Sequence, residues 1–190
     1  MIPENILDFW FGKVDSPEYG KPRREWFQKD PVFDDRIRSN FLPLYRQAAT
    51  GALDSWKNDP LSCLALIITL DQFSRNLFRG KPEAFATDEL ALSHAKHAVE
   101  RRFDRSLLPV QRWFIYLPFE HSENIEEQRR GIELWKSLAD DPDSAEPIDY
   151  AYRHLAVIDR FGRFPHRNSI LGRMTTPEEE EFLQQPGSSF

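Results

Sequence analysis

The stretch from Leu61 to Gly80, LSCLALIITLDQFSRNLFRG, most constrains what this chain can fold into. Its first half is apolar on nearly every side, and a helix that is hydrophobic all round belongs in the middle of a globule. Asp59 and Pro60 before it are typical of an N-cap and a first helical position, whereas Gly80 and Pro82 end the pattern. The sequence therefore predicts a central buried helix that carries polar side chains at its C-terminal end.

Apolar residues recur at helical spacing along most of the remaining chain, and no stretch alternates as a strand would. We expect a proline break at Pro118. Short connections favour packing of neighbouring helices as antiparallel hairpins, so the predicted fold class is all-α. Residues 1–184 are expected to form a single helical domain, followed by a flexible tail over 185–190. Further helices are predicted to begin near Pro3, Asp30, Thr87, Ser106, Ser122, Glu146 and Thr176.

The net charge, the cysteine count and the N-terminal sequence argue against nucleic-acid binding, disulfide bonding and membrane insertion. A net charge of −6 and a pI near 5.4 argue against nucleic acid, whose binding surfaces are basic. The single Cys63 permits no intrachain disulfide, fits a reducing compartment and is expected to be buried. The N-terminus lacks the features of a signal peptide, and the longest apolar run is about half the roughly 20 residues of a membrane span. The expected protein is soluble and cytoplasmic, with no membrane partner.

The first polar stretch lies at the end of the predicted central helix. Asp71, Arg75 and Arg79 are four residues apart and so share one helical face, with Gln72 and Asn76 in the neighbouring row. Arginine side chains in such a row could bind an anion. The alternative is an Asp71–Arg75 ion pair, with the basic residues complementing the helix dipole.

The second polar stretch is Tyr116-Leu-Pro-Phe-Glu-His-Ser-Glu123. Carboxylates flanking a histidine suit general acid–base catalysis and also suit metal ions, although no metal site is predicted. Ser122 and Glu123 are equally explained by capping of the following helix. Glu120 and His121 are therefore the candidate catalytic residues, and Glu123 is a candidate ligand-binding residue.

The third polar stretch is the segment Arg160-Phe-Gly-Arg-Phe-Pro-His-Arg-Asn168, preceded by His154. Its arginines are denser than helix capping requires and suit the clamping of an anion. Their alternative role is internal pairing with Asp71, Glu120 or Glu123. His154 lies beside the apolar stripe of its helix, where a hydrogen-bonded core residue is the alternative to a ligand-binding one. The candidate ligand-binding residues here are His154, Arg160, Arg163, His166, Arg167 and Asn168.

Five segments spread over nearly the whole chain form a specific combination. They are Leu7–Gly12, Leu70–Gly80, Ala84–Asp88, Tyr116–Glu123 and Arg160–Asn168. Together they resemble a mainly bacterial family, domain of unknown function 924. The resemblance implies a helical fold similar to tetratricopeptide-like α-α superhelices and no settled activity. Ser74 departs from the family, which more often has proline there.

Three functions are compatible with these patterns. The first is a cleft for a small anionic ligand, with or without catalysis, in which His121 and Glu120 move protons. The second is a tetratricopeptide-like scaffold that docks a peptide or protein, and the third is a purely structural polar network. The motifs specify no cofactor and no oligomeric state. The arginines expected to hold the anion are Arg75, Arg79, Arg163 and Arg167.

Overall fold

The computed structural model describes residues 2–188, which form eight α-helices and contain no β-strand. The all-α prediction is confirmed. Several short 3₁₀ turns connect the helices, among them Pro82–Phe85 and Pro165–Arg167. The helices are α1 (Pro3–Phe11), α2 (Pro31–Ala49), α3 (Pro60–Leu77), α4 (Asp88–Glu100), α5 (Pro109–Glu120), α6 (Ile125–Lys136), α7 (Ala145–Phe161) and α8 (Pro177–Leu183).

Helix α3 is the central helix that the sequence predicts. The Asp59 side chain caps it by accepting hydrogen bonds from the backbone N–H groups of Leu61 and Ser62, both at 3.1 Å. Most of its residues are buried, and it packs against α1, α2, α4 and α5. Cys63 is buried as predicted, and burial raises the pKa of its thiol to about 12. Because α3 has neighbours on all sides, the polar side chains near its C-terminus face other helices instead of water.

The remaining helices pack in chain order, α4 with α5, α5 with α6, and α6 with α7. Gly131 permits the close approach of α5 and α6, since a Cβ added there would lie 3.0 Å from Phe119 Cβ. Packing between consecutive helices is what short connections favour. The tetratricopeptide-like superhelix stays a prediction.

Two of the helix boundaries that differ from the prediction lie beside the polar residues. Pro118 lies inside the last turn of α5 and removes one backbone donor, yet the helix continues to Glu120, and the N–H of His121 donates to the carbonyl of Leu117 at 2.9 Å. Helix α6 is capped by Asn124, whose side chain accepts from Glu126 N at 2.8 Å, and not by Ser122 or Glu123. The Glu123 carboxylate is thus available for contacts elsewhere.

Aromatic side chains fill the core between α1 and the central helices. The Trp10 and Trp26 rings stack with centroids 5.9 Å apart, and Trp10 also meets Phe73 and Phe114 edge-on. Within residues 2–188 no helix is both long and apolar enough to cross a membrane. Of the predicted tail, residues 189–190 lie outside the described part of the chain, whereas the Ser188 hydroxyl donates to the carbonyl of Leu183 at 3.1 Å.

Arg23 closes the C-terminal end of α1, and its loss should be measurable. Its Nη1 donates to the carbonyls of Phe9 and Trp10 at 2.9 and 2.8 Å, groups that the helix itself leaves without donors. Arg23→Ala should lower the free energy of unfolding by about 1–2 kcal/mol in urea denaturation. Arg24→Ala, at an exposed neighbouring position, is the matched control and should change it by less than about 0.5 kcal/mol. Equal effects of both variants would contradict this role of Arg23.

Candidate functional site

Asp71, on the last turns of α3, lies at the centre of the polar residues. Its side chain is 1% exposed, and Oδ1 accepts a hydrogen bond from His121 Nδ1 at 2.7 Å. Oδ2 accepts from Gln72 Nε2 at 2.6 Å, and Arg75 Nη1 lies 3.3 Å from Oδ1. Burial raises the pKa of the Asp71 carboxyl, but the lowering by His121 and Arg75 outweighs it. The net pKa lies well below its usual range. Asp71 is therefore a buried carboxylate with a fixed orientation.

His121 directly follows α5 and has two different ring nitrogens. Because Nδ1 donates to the ionised Asp71, Nε2 carries the lone pair, and it makes no hydrogen bond within residues 2–188. The side chain is 13% exposed, so the ring reaches the surface. Burial and the Arg75 charge lower the pKa of His121, while Asp71 raises it, and the net pKa is below the ordinary value. At neutral pH the imidazole is uncharged and able to accept a proton.

Asp88, the first residue of α4, joins two guanidinium groups. Arg75 donates to both of its oxygens, at 2.9 and 3.0 Å, and Arg167 Nη1 donates to Oδ2 at 3.2 Å. Arg167 Nη2 also donates to the carbonyl of His121 at 3.0 Å. Side chains from α3, α4, α5 and the segment after α7 thus meet in one cluster. We call Asp71, Arg75, Asp88, His121 and Arg167 the Asp71 cluster.

Arg167 lies between two aromatic rings. The carbon of its guanidinium is 4.6 Å from the centroid of Phe85 and 4.6 Å from that of Phe164. The residue is 7% exposed, and its buried Nε–H makes no hydrogen bond within the described chain. Burial and the neighbouring Arg75 lower the pKa of Arg167 to about 10. This arginine is held mainly by ring faces, with Asp88 as its carboxylate partner.

Glu120, predicted as the proton-transfer partner of His121, faces a different histidine. Its Oε1 lies 3.0 Å from His154 Nδ1, which also donates to the carbonyl of Tyr150 at 2.9 Å. Glu120 and His154 are both buried, and the ring centroids of His121 and His154 are 6.3 Å apart. The carboxylate that His121 contacts is therefore Asp71 and not its neighbour in sequence.

Glu123 belongs to a second network beside the Asp71 cluster. Its carboxylate accepts two hydrogen bonds from Arg173, at 2.7 and 3.0 Å, and one from Phe164 N at 2.7 Å. Burial raises the pKa of Glu123, but these hydrogen bonds outweigh it and lower the net value. Arg173 also donates to Asn168 Oδ1, which links this network to α8 through Glu179.

Glu179 of α8 holds Arg163 in the same network. Arg163 donates to both of its carboxylate oxygens, at 2.6 and 2.8 Å, and to the carbonyl of Met174. His166 packs against Phe164 with centroids 5.6 Å apart, and burial and the Arg167 charge lower its pKa to about 3. Arg163, predicted to bind an anion, is therefore already paired with a carboxylate of the chain.

Three predicted residues lie apart from both networks. Asn76 and Arg79 bind Asp34 of α2, with Arg79 making two hydrogen bonds of 2.9 Å. Arg160 is exposed and pairs with Glu178. The spacing of Asp71, Arg75 and Arg79 predicts one shared face, but Arg75 binds Asp88 whereas Arg79 binds Asp34.

The sequence reasoning missed three residues of the site. Asp88 is the first residue of α4, and the sequence explains an aspartate there by its position at a helix N-terminus alone. Phe85 lies in the short turn before this helix. Arg173 follows a Leu-Gly pair outside every polar stretch. For Asp88 and Phe85 the available signal was their place in the segment Ala84–Asp88, which resembles the family. Arg173 carried no comparable signal.

Two concavities of the surface lie away from both networks. They measure about 440 and 390 Å³, share Tyr19 and Leu108 in their lining, and contain none of the predicted site residues. Within residues 2–188 no three His, Cys, Asp or Glu side chains come together in a group that could hold a metal ion.

Comparison with known proteins identifies the family and the fold. The solved structure of the protein of unknown function ATU0120 from Agrobacterium tumefaciens is 40% identical to this chain and superposes with a TM-score of 0.84. The match covers 96% of each chain. No curated protein matches the sequence. The family described as bacterial protein of unknown function (DUF924) matches residues 6–187. With nearly its whole length matched, this chain belongs to the DUF924 family.

Proposed function

We propose that the chain binds a small anionic ligand at the exposed edge of the Asp71 cluster and that His121 acts there as a general base. One observation carries the proposal, namely the asymmetry of His121. Its Nδ1 is fixed by a fully buried carboxylate, while its Nε2 makes no hydrogen bond within residues 2–188, and the ring reaches the surface. A histidine oriented in this way can accept a proton from a bound molecule.

The electrostatic surroundings suit a base more than an acid. Burial and Arg75 keep His121 uncharged at neutral pH, which leaves the Nε2 lone pair available. Asp71 then stabilises the imidazolium that forms when the proton is taken up, because its pKa lies well below the usual range and it stays ionised. Gln72 and Arg75 hold the Asp71 carboxylate in place during this change.

Arg75 is the group best placed to receive the ligand's anionic end. Its side chain is 20% exposed, and its contacts to Asp71 and Asp88 fix the plane of the guanidinium. A preoriented guanidinium binds planar or tetrahedral anions through paired hydrogen bonds. Arg167, on the buried side, supports the same Asp88 carboxylate. The ligand would therefore approach between Arg75 and His121.

The structural alternative also has a specific observation behind it. Each arginine predicted to clamp an anion already contacts a carboxylate of the chain, so the polar groups satisfy one another without a ligand. A network of this kind fixes how helices pack. The open Nε2 of His121 is the feature that this alternative leaves unexplained. The peptide-docking alternative stays a prediction from the sequence.

Ligand binding can be tested on His121 directly. We expect at least one compound of an anionic metabolite library to raise the melting temperature of the wild type and to shift the His121 imidazole resonances in NMR. His121→Gln keeps a side-chain donor toward Asp71 but removes the basic nitrogen, so it should fold and lose that stabilisation. His97→Gln, on the outer part of α4, is the matched control and should retain it. If no compound acts through His121, or if His121→Gln responds as the wild type does, the proposal is wrong.

A further inference from the structure

We propose that the ligand of the Asp71 cluster is a monocarboxylic acid with an apolar or aromatic body, and that it binds as its carboxylate while His121, as the base, holds the proton that the acid gives up. This inference rests on the proposed function and names the chemical class of the ligand. It follows from the charges of the cluster and from the ring that borders it.

The formal charges of the Asp71 cluster cancel before any ligand binds. Arg75 and Arg167 supply two positive charges, and Asp71 and Asp88 supply two negative ones at distances of 2.9–3.3 Å. With His121 uncharged, the cluster has no excess positive charge to offer a dianion. Protonation of His121 leaves one positive charge, which matches one carboxylate. A phosphate dianion would leave one negative charge uncompensated beside two buried or half-buried carboxylates.

The other charged neighbours of His121 leave this balance unchanged. On its own helix Glu120 pairs with His154 of α7, and both side chains are buried. Neither side chain of this pair is a hydrogen-bond partner of His121 within residues 2–188. On the side of α8, Glu123 is neutralised by Arg173. Within the Asp71 cluster, His121 is the group whose protonation adds one positive charge when a ligand binds.

Phe85 supplies the apolar contact for the body of the ligand. It is half-buried, in the turn Pro82–Phe85, and its ring faces both Arg75 and Arg167, at 5.8 and 4.6 Å from the centroid. A planar carboxylate bound to Arg75 would have its attached carbon chain or ring next to Phe85. Contact between two apolar surfaces there adds affinity that a bare inorganic anion does not gain.

The test uses three probes, sodium benzoate, sodium acetate and inorganic phosphate, titrated into the full-length protein. The readout is the His121 imidazole resonances between pH 5.5 and 8. We expect saturable shifts with benzoate, weaker ones with acetate and none with phosphate. Affinity for benzoate should fall about tenfold for each pH unit above the pKa of His121, since one proton is taken up per ligand bound. Bound benzoate should correspondingly raise the pKa of His121.

A variant at the apolar contact separates the two parts of the ligand. Phe85→Leu should weaken benzoate binding at least about threefold more than it weakens acetate binding, because only the body of benzoate contacts the ring. Phe27→Leu, at an exposed phenylalanine distant in sequence, is the control and should bind both as the wild type does. Thermal unfolding of each variant verifies that it is folded before its binding is compared.

The outcomes distinguish this inference from the proposed function. Phosphate binding as tight as benzoate binding would overturn the monocarboxylate while leaving an anion site at His121. Benzoate affinity that is constant across the pH range would overturn the coupled proton. If none of these probes and no other anion shifts His121, the proposed function fails together with this inference.

Discussion

Replacing Asp71 by alanine is expected to lower the free energy of unfolding by about 3–5 kcal/mol, measured by urea denaturation. The carboxylate is 1% exposed and accepts hydrogen bonds from His121 and Gln72, with Arg75 beside it. Its removal leaves these buried donors without an acceptor and the Arg75 charge less compensated. Asp34→Ala, which breaks the more exposed pair with Arg79, is the matched control and should cost clearly less. Equal losses in both variants would contradict the central position of Asp71.

The same carboxylate gives stability a defined acid dependence. Because the folded pKa of Asp71 is lowered, its contribution to the free energy of unfolding is fully present above the unfolded pKa of about 3.9 and is lost as the pH falls through the folded pKa. Asp71→Asn should remove this part of the acid sensitivity. It should also lower the pKa of His121 in an NMR titration, since the Asp71 charge raises that pKa in the wild type. An unchanged His121 titration in Asp71→Asn would show that the two residues do not interact as described.

Arg167→Ala is expected to produce the second large loss, about 3 kcal/mol in the same measurement. The substitution leaves the carbonyl of His121 without its donor and empties the space between the rings of Phe85 and Phe164. Arg167→Lys keeps the charge but loses the planar group that contacts both rings and Asp88 at once, so it should recover only part of the stability. Arg160→Ala, which removes an exposed pair with Glu178, is the control and should change stability little. Full recovery in Arg167→Lys would mean that charge alone, and not the stacked geometry, holds this residue.

The central helix could be predicted because its signals are local. Asp59 and Pro60 mark its N-terminus, and the apolar run forms its buried part. Asp71 and Arg75 are four residues apart, which places both on one face of the helix. The ion pair that this spacing allows does form, at 3.3 Å. The shorter contacts of Arg75 are to Asp88, on another helix, which no helical spacing indicates.

The hydrogen-bond partner of His121 could not be predicted from the sequence. Glu120 stands next to it in sequence, but neighbouring side chains point in different directions at the end of a helix. The close approach of α6 at Gly131 and the packing of α7 turn Glu120 toward His154, which leaves His121 directed at α3. Which carboxylate a histidine contacts is decided here by the placement of three helices and not by sequence distance.

The arginine-rich segment shows the same limit of local reasoning. Its arginines are denser than helix capping requires, and Arg160, Arg163 and Arg167 have three different carboxylate partners. Arg173, which belongs to no pattern, makes more hydrogen bonds than Arg160 does. Composition indicates that such a segment will form ion pairs, whereas the pairing itself depends on the tertiary fold.

The hydrogen bond between Arg167 and Asp88 joins residues that are synthesised far apart in time. Arg167 follows Asp88 by 79 residues and His121 by 46. A growing chain therefore contains α3, α4 and α5 before the Arg167 side chain that contacts Asp88 and the His121 carbonyl has been synthesised. A truncated product that ends before Arg167 retains the central helices but lacks one wall of the candidate site.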